Sequence, residues 1–250
     1  MILTIATREF RNLFISPLAW VILAVVQLIL AWSFFSSLDI FFSVQAELTT
    51  LPNAPGVTDL VISPLFEVAS FLLLMIIPLL TMRLISDEKR NKTISLLLSA
   101  PLSITEIVLG KFLSLLFFIS ILLLFISLMP LSLSIGTELD YEKIFSGLLG
   151  LFLVLTAFSA AGLYMSSLTD NPMIAAVSTF GLLLLLWMLN ASSTAAAEGG
   201  SALSYLSLHM HFTALLRGIL NTRDIAYFLL FSFAFIVLTI RQLETQRLQS

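Results

Sequence analysis

His209-Met210-His211 sets two imidazoles around a thioether, a ligand set that copper or zinc can use. Residues two apart do not share a helix face, and no nearby carboxylate or cysteine completes the set, so no metal site is assigned. Glu67, at the outer end of an apolar run, is the nearest candidate for a proton relay. A carboxylate snorkelling to the interface is the simpler reading. The chain has no GxxxxGK[ST] phosphate loop and no polar stretch long enough for a nucleotide domain, so it is not expected to hydrolyse ATP by itself. With no cysteine, it has no disulfide framework, thiolate metal site or cysteine nucleophile. No catalytic or cofactor-binding residue is assigned.

The polar island from Arg83 to Lys111 carries the remaining chemistry. Ser86, Asp87 and Glu88 stand where a helix start wants a cap and negative charge, with Lys89, Arg90 and Lys92 following. Ile94, Leu97 and Leu98 give that helix an apolar face, and Pro101 ends it. Ser103 with Glu106 forms a capping box that starts a second helix leading into the next apolar run. The island is therefore two short helices about a proline turn. Its leucine cluster Leu96–Leu98 either marks an interface, dips into lipid or packs on the chain's own helices.

Composition names the solvent in which these residues work. Hydrophobic residues make up 59% and charged residues 11%, with mean hydropathy +1.07, where a soluble domain carries about 25% charge. Six apolar runs approach the ~20 residues that cross a hydrocarbon core: Pro17 to Phe35, Val68 to Leu84, Phe112 to Leu133, Ile144 to Ser167, Pro172 to Leu189 and Ile225 to Ile240. None alternates with period two, which argues against a β-barrel. The expected fold is an all-α integral membrane bundle of six spans, a single transmembrane domain over residues 1–250. With the N-terminus inside, nine basic residues fall on the inner side (Arg8, Arg11, Arg83, Lys89, Arg90, Lys92, Lys111, Arg241 and Arg247). Three fall outside (Lys143, Arg217 and Arg223), so both termini are expected in the cytoplasm. The net charge of −3 and the dispersed basic residues offer nothing for nucleic acid.

Residues 1–16 read as an interfacial helix. Ile2, Ala6, Phe10 and Leu13 fall on one side and Thr4, Arg8 and Arg11 on the other, so the segment either lies on the inner membrane surface or is a basic flank that fixes orientation. The apolar run behind it is too long for a signal-peptide core and lacks an A-x-A-like cleavage site. Gln27, Ser114, Ser120 and Ser127 are candidates for hydrogen bonds between helices, while Ala157, Ala161, Gly162 and Ser166 read as a close-packing face. Residues 190–224 form an outer loop, and 85–110 the cytoplasmic segment.

These residues resemble the membrane subunits of type-2 ABC transporters, and within them the gliding-motility-type permeases. The likeness runs through Pro78, Thr81-Met82-Arg83, Glu88-Lys89-Arg90, Thr93-Ile94, Leu96–Leu98, Ala100-Pro101 and Gly110-Lys111. It continues in Arg8-Glu9-Phe10 with Ser16-Pro17, in Ser166–Thr169 with Asn171, in His211-Phe212 and Arg217-Gly218, and in Asp224–Phe228. Lys92 departs from the usual glycine and Ser95 from the usual glutamate. The resemblance implies that Arg83, Glu88, Lys89, Thr93, Leu97, Leu98 and Pro101 couple the chain to a separate ATP-binding subunit. It also implies that ATP and Mg are held by that subunit, that short outer helices precede the last span, and that His211 belongs to a structural outer motif.

The implied function is the permease subunit of an ATP-driven exporter in a bacterial inner membrane, paired with a second copy or a related membrane subunit that carries an extracytoplasmic domain. Two alternatives stand beside it: transmission of force to an extracytoplasmic partner without transport, and secondary transport.

Overall fold

The computed structural model describes residues 1–48, 55–92, 103–135, 137, 139–193 and 205–249. Every regular element among them is helical: α1 (Ile2–Ile15), α2 (Pro17–Leu48), α3 (Ser63–Thr81), α4 (Arg83–Arg90), α5 (Ile104–Ser132), α6 (Tyr141–Leu168), α7 (Pro172–Ser193), α8 (Leu208–Leu216) and α9 (Thr222–Gln249). A π-helical turn, Thr58–Ile62, leads into α3, and a 3-10 turn, Leu133–Ile135, follows α5.

Six helical runs are long and apolar enough to cross a membrane: Pro17–Gln45, Thr58–Arg90, Ile104–Ser132, Tyr141–Leu168, Pro172–Leu189 and Thr222–Arg247. The chain is a six-span helical bundle. Most runs outlast the expected apolar stretches, because helices continue into polar sequence once their backbone bonds are established. A run of 29 residues measures about 43 Å against a hydrocarbon core of about 30 Å, so its ends project beyond the core.

α6 is the most enclosed of the six and α9 the least. The small side chains of α6 explain its place. Ala157, Ala160, Ala161, Gly162 and Ser166 are buried, letting α3, α4 and α9 approach its backbone. An alanine Cβ at Gly162 would overlap the Thr81 hydroxyl of α3. The expected hydrogen bonds between spans are not where the sequence pointed. Ser114, Ser120 and Ser127 donate within their own helix to the carbonyls of Lys111, Leu116 and Leu124, and the buried Gln27 Nε2 has no partner among the described residues. A serine on a helix reaches the carbonyl three or four residues back without any neighbour, and that local bond wins here.

The bundle has two distinct ends. At one, Lys143 of α6 meets Asp59 at 3.1 Å, Asp140 at 3.4 Å and the backbone turn at Gly218, while Ser146 Oγ donates to the Leu215 carbonyl of α8 at 2.7 Å. α8 is the short helix expected before the last span. Its His211 is buried: Nδ1 lies 2.5 Å from Asp224, Nε2 lies 2.9 Å from the Tyr205 carbonyl, and Tyr227 stacks on the ring at 4.1 Å. His209 instead lies against Trp187 with ring centres 4.7 Å apart. The two imidazoles take separate partners. At the other end α1, α4 and the start of α5 gather beside the end of α6.

Candidate functional site

The second span is one run broken at Met82, and the break builds the site. Pro78 has no amide to give the Leu74 carbonyl, so the helix ladder is already weakened one turn earlier. α3 stops at Thr81 and α4 starts at Arg83. In an unbroken helix the Ile85 amide would turn to the Thr81 carbonyl, while the Ser86 amide faces the carbonyl of Met82, the N-cap of α4. Here both donate to Ser166 Oγ of α6, at 3.2 and 3.1 Å, and that hydroxyl donates to the Met82 carbonyl at 3.0 Å. One serine binds three backbone groups at the break. The expected helix start at Ser86 to Glu88 is corrected accordingly: these residues lie inside α4, and the Ser86 hydroxyl turns back to the Met82 carbonyl instead of capping.

α4 is also tied laterally. Lys89 Nζ donates to the Ser167 carbonyl at the end of α6. Glu88 Oε1 lies 2.7 Å from Lys111 Nζ of α5, and Glu9 Oε1 of α1 lies 3.5 Å from the same ammonium. Lys111 is 2% exposed, Glu9 12% and Glu88 21%. Placing a lone charge in such surroundings costs several kcal/mol, which the two carboxylates offset. Arg8 joins Glu9 at 3.1 Å from the exposed side. Three helices far apart in sequence therefore converge on one cation.

Local sequence explains how they come so close. The capping box at Ser103 is formed as expected: the Glu106 amide donates to Ser103 Oγ and the Ser103 amide to the Glu106 carboxylate, both at 3.1 Å. It launches α5 so that Gly110 and Lys111 face α1. A Cβ at Gly110 would stand 2.7 Å from Ile5 Cγ2, so the bare backbone is what admits α1. Phe10 packs on Phe14 at 4.9 Å and on Phe117 of α5 at 6.1 Å. The apolar face read from the first sixteen residues exists, but it is turned onto this chain's own α5. Arg8 and Arg11 are exposed on the opposite side, as expected.

Of the residues assigned to coupling, Arg83, Glu88 and Lys89 lie on α4. Thr93, Leu97, Leu98 and Pro101 lie outside the described residues. Lys92, where the resemblance expects glycine, has φ +56°, a left-handed conformation that glycine adopts without strain and that commonly ends a helix. Sequence reasoning counted Lys111 with the polar island and gave Glu9 no role of its own. The available signal was an ammonium immediately before the apolar run that starts at Phe112, which must find a carboxylate if the helix buries it.

A cavity of about 340 Å³ opens between α1 and α4, lined by Arg8, Asn12, Arg83, Asp87 and Lys111 and by Leu13, Leu18, Leu80 and Leu84. Among the described residues no group of three His, Cys, Asp or Glu is placed to hold a metal ion.

In comparisons with known proteins, the family described as ABC-2 family transporter protein matches residues 3–246. No curated protein matches the chain.

Proposed function

The chain belongs to the ABC-2 transporter family, and from that premise we propose that it is the permease subunit of an ATP-driven exporter of the gliding-motility type, in a bacterial inner membrane with both termini in the cytoplasm. ABC-2 permeases typically work with an ATP-binding subunit. In this reading that subunit holds ATP and Mg and docks on the segment after α4, where Leu97, Leu98, Thr93 and Pro101 form the contact. A second copy, or a related membrane subunit with an extracytoplasmic domain, completes the complex.

The observation that carries the reading is the fastening of α4. It continues the second span, leads directly into the docking segment, and is joined to α6 through Ser166 and to α5 and α1 through Lys111. A push on the docking segment reaches α4, and α4 cannot move without drawing on three other helices. Rigid elements fastened to one another are suited to turn closure of a partner into movement of spans. α6 fills the middle of the bundle, so the substrate path runs between protomers.

The test is co-purification of the full chain with the ATPase encoded beside it. Leu97→Asp or Leu98→Asp puts a charge into an apolar contact and is expected to release the ATPase while the chain still inserts. Undiminished co-purification by both variants, or the absence of any ATPase partner, overturns the docking role.

A further inference from the structure

We propose that the cavity between α1 and α4 binds one phospholipid with a zwitterionic primary-amine headgroup, the phosphatidylethanolamine class. The charges around it divide into two sets. Lys111, Glu9, Glu88 and Arg8 satisfy one another in a chain of ion pairs. Arg83 and Asp87 do not. They stand four apart on α4, a spacing at which opposite charges on a helix can meet, yet neither makes an ion pair or side-chain hydrogen bond with the other or with any other described residue. Both line the cavity, a cation and an anion that make no ion pair with each other.

A ligand complementary to that pair carries a negative and a positive group a few bonds apart. A guanidinium presents forked donors that fit a phosphate, and a carboxylate accepts from a primary ammonium. The lining side chains Arg8, Arg83 and Lys111 balance Glu9, Asp87 and Glu88, so the ligand has no net charge to supply. An anionic headgroup would leave Asp87 facing negative charge, and a choline has no N–H to donate to it. Five leucines complete the lining (Leu13, Leu18, Leu79, Leu80 and Leu84), at the level where the apolar run of the second span ends, which suits the first carbons of acyl chains and gives a free phosphate compound nothing to gain. The volume of about 340 Å³ suits a headgroup with its glycerol. A lipid seated there wedges α1 against α4 beside the Lys111 junction. The inference rests on the cavity alone and is independent of any ATPase.

The experiment is native mass spectrometry of the full chain in mild detergent, with equimolar phosphatidylethanolamine, phosphatidylglycerol and phosphatidylcholine of identical acyl chains. One phosphatidylethanolamine per chain is expected to persist under activation that strips the other two, with a preference of about fivefold or more, as charge-assisted hydrogen bonds to both ends of the headgroup imply. Arg83→Gln and Asp87→Asn, both at accessible positions, are each expected to abolish that preference, while Lys143→Gln at the other end of the bundle preserves it. Equal retention of the three lipids, or preferred retention of phosphatidylglycerol, overturns the proposal without recourse to any variant. So does an unchanged preference in both α4 variants. Displacement by soluble phosphoethanolamine at millimolar concentration overturns the lipid as the source.

Discussion

Glu88 and Lys111 meet at 2.7 Å although residues 93–102 separate them in sequence, so the ion pair joins α4 to α5 directly. Glu9 reaches the same ammonium from α1. The pair is fixed less by its own strength than by what its loss would leave behind, a buried lysine with a single carboxylate at 3.5 Å. Partners in such a site are therefore strongly non-additive.

Lys111→Met is expected to be milder than Glu88→Ala. Removing Glu88 leaves the buried ammonium short of charge and should cost about 3 kcal/mol, whereas methionine in place of lysine removes the need for a partner. The double variant should recover much of the loss. Thermal unfolding of the purified chain reads this, and a double-variant effect equal to the sum of the singles shows that the pair is not coupled.

Ser166→Ala strips one hydroxyl from three backbone groups at the Met82 break. The Ile85 amide loses its acceptor in a buried place, while the Ser86 amide keeps the Met82 carbonyl, at a cost of about 1–3 kcal/mol. Because the same hydroxyl joins α4 to α6, ATP hydrolysis by the partner should continue while cargo movement falls. Equal preservation of both activities in a reconstituted complex removes Ser166 from the coupling path.

The six spans, the capping box at Ser103 and the apolar face of α1 were legible from periodicity and composition, because each follows from which residues must avoid water. The junction was only partly legible. Arg83, Glu88 and Lys89 stood out as charges at the end of an apolar run, but their partners did not. Lys111 seeks Glu88 and Glu9, and Ser166 seeks backbone amides eighty residues earlier; such choices are made by packing, which periodicity does not encode. The misread helix start at Ser86 has the same origin. A serine followed by two acids looks like a cap, but here the helix runs through it and the Ser86 hydroxyl turns back to the Met82 carbonyl.

Single cysteines test the orientation directly, since the chain has none of its own. Ser43 lies exposed toward the end of α2, and the basic residues Arg8, Arg11, Arg83, Lys89 and Lys92 gather at the opposite end of the bundle. Under the positive-inside bias, a cysteine at 43 reacts with an impermeant thiol reagent in sealed cells, and one at 95 reacts only after permeabilisation. Labelling at 95 in sealed cells reverses the orientation.

His209 gives a pH signature outside the spans. Burial lowers its pKa below the ordinary 6.5, against a smaller opposing pull from Glu67, so the folded chain holds the ring neutral. As pH falls through the range below that value, the unfolded chain takes up a proton that the folded chain resists, and stability is lost; at neutral pH and above this contribution is fully present. His209→Phe, which keeps an aromatic ring beside Trp187, should flatten the acid side of the stability profile. An identical profile in the variant assigns the pH dependence to other groups.

Gly162 of α6 lies against Thr81 of α3, the residue before the break at Met82. A methyl group at 162 would meet first the hydroxyl and then the Cβ of Thr81, and neither helix can withdraw easily, because Ser166 fastens α4 just beyond. Gly162→Ala is expected to destabilise by about 1–3 kcal/mol, although alanine is the better helix former, since overpacking outweighs the gain in propensity. Thr81→Ala removes the nearest obstructing atom at the cost of its own bonds to the Ile77 and Pro78 carbonyls. Combined with Gly162→Ala it should recover part of the loss, so the double variant is more stable than the sum of the singles. Thermal unfolding of the four proteins decides it: additive effects, or a Gly162→Ala chain as stable as the parent, mean that the two helices have room to separate and that the break is not held by their contact.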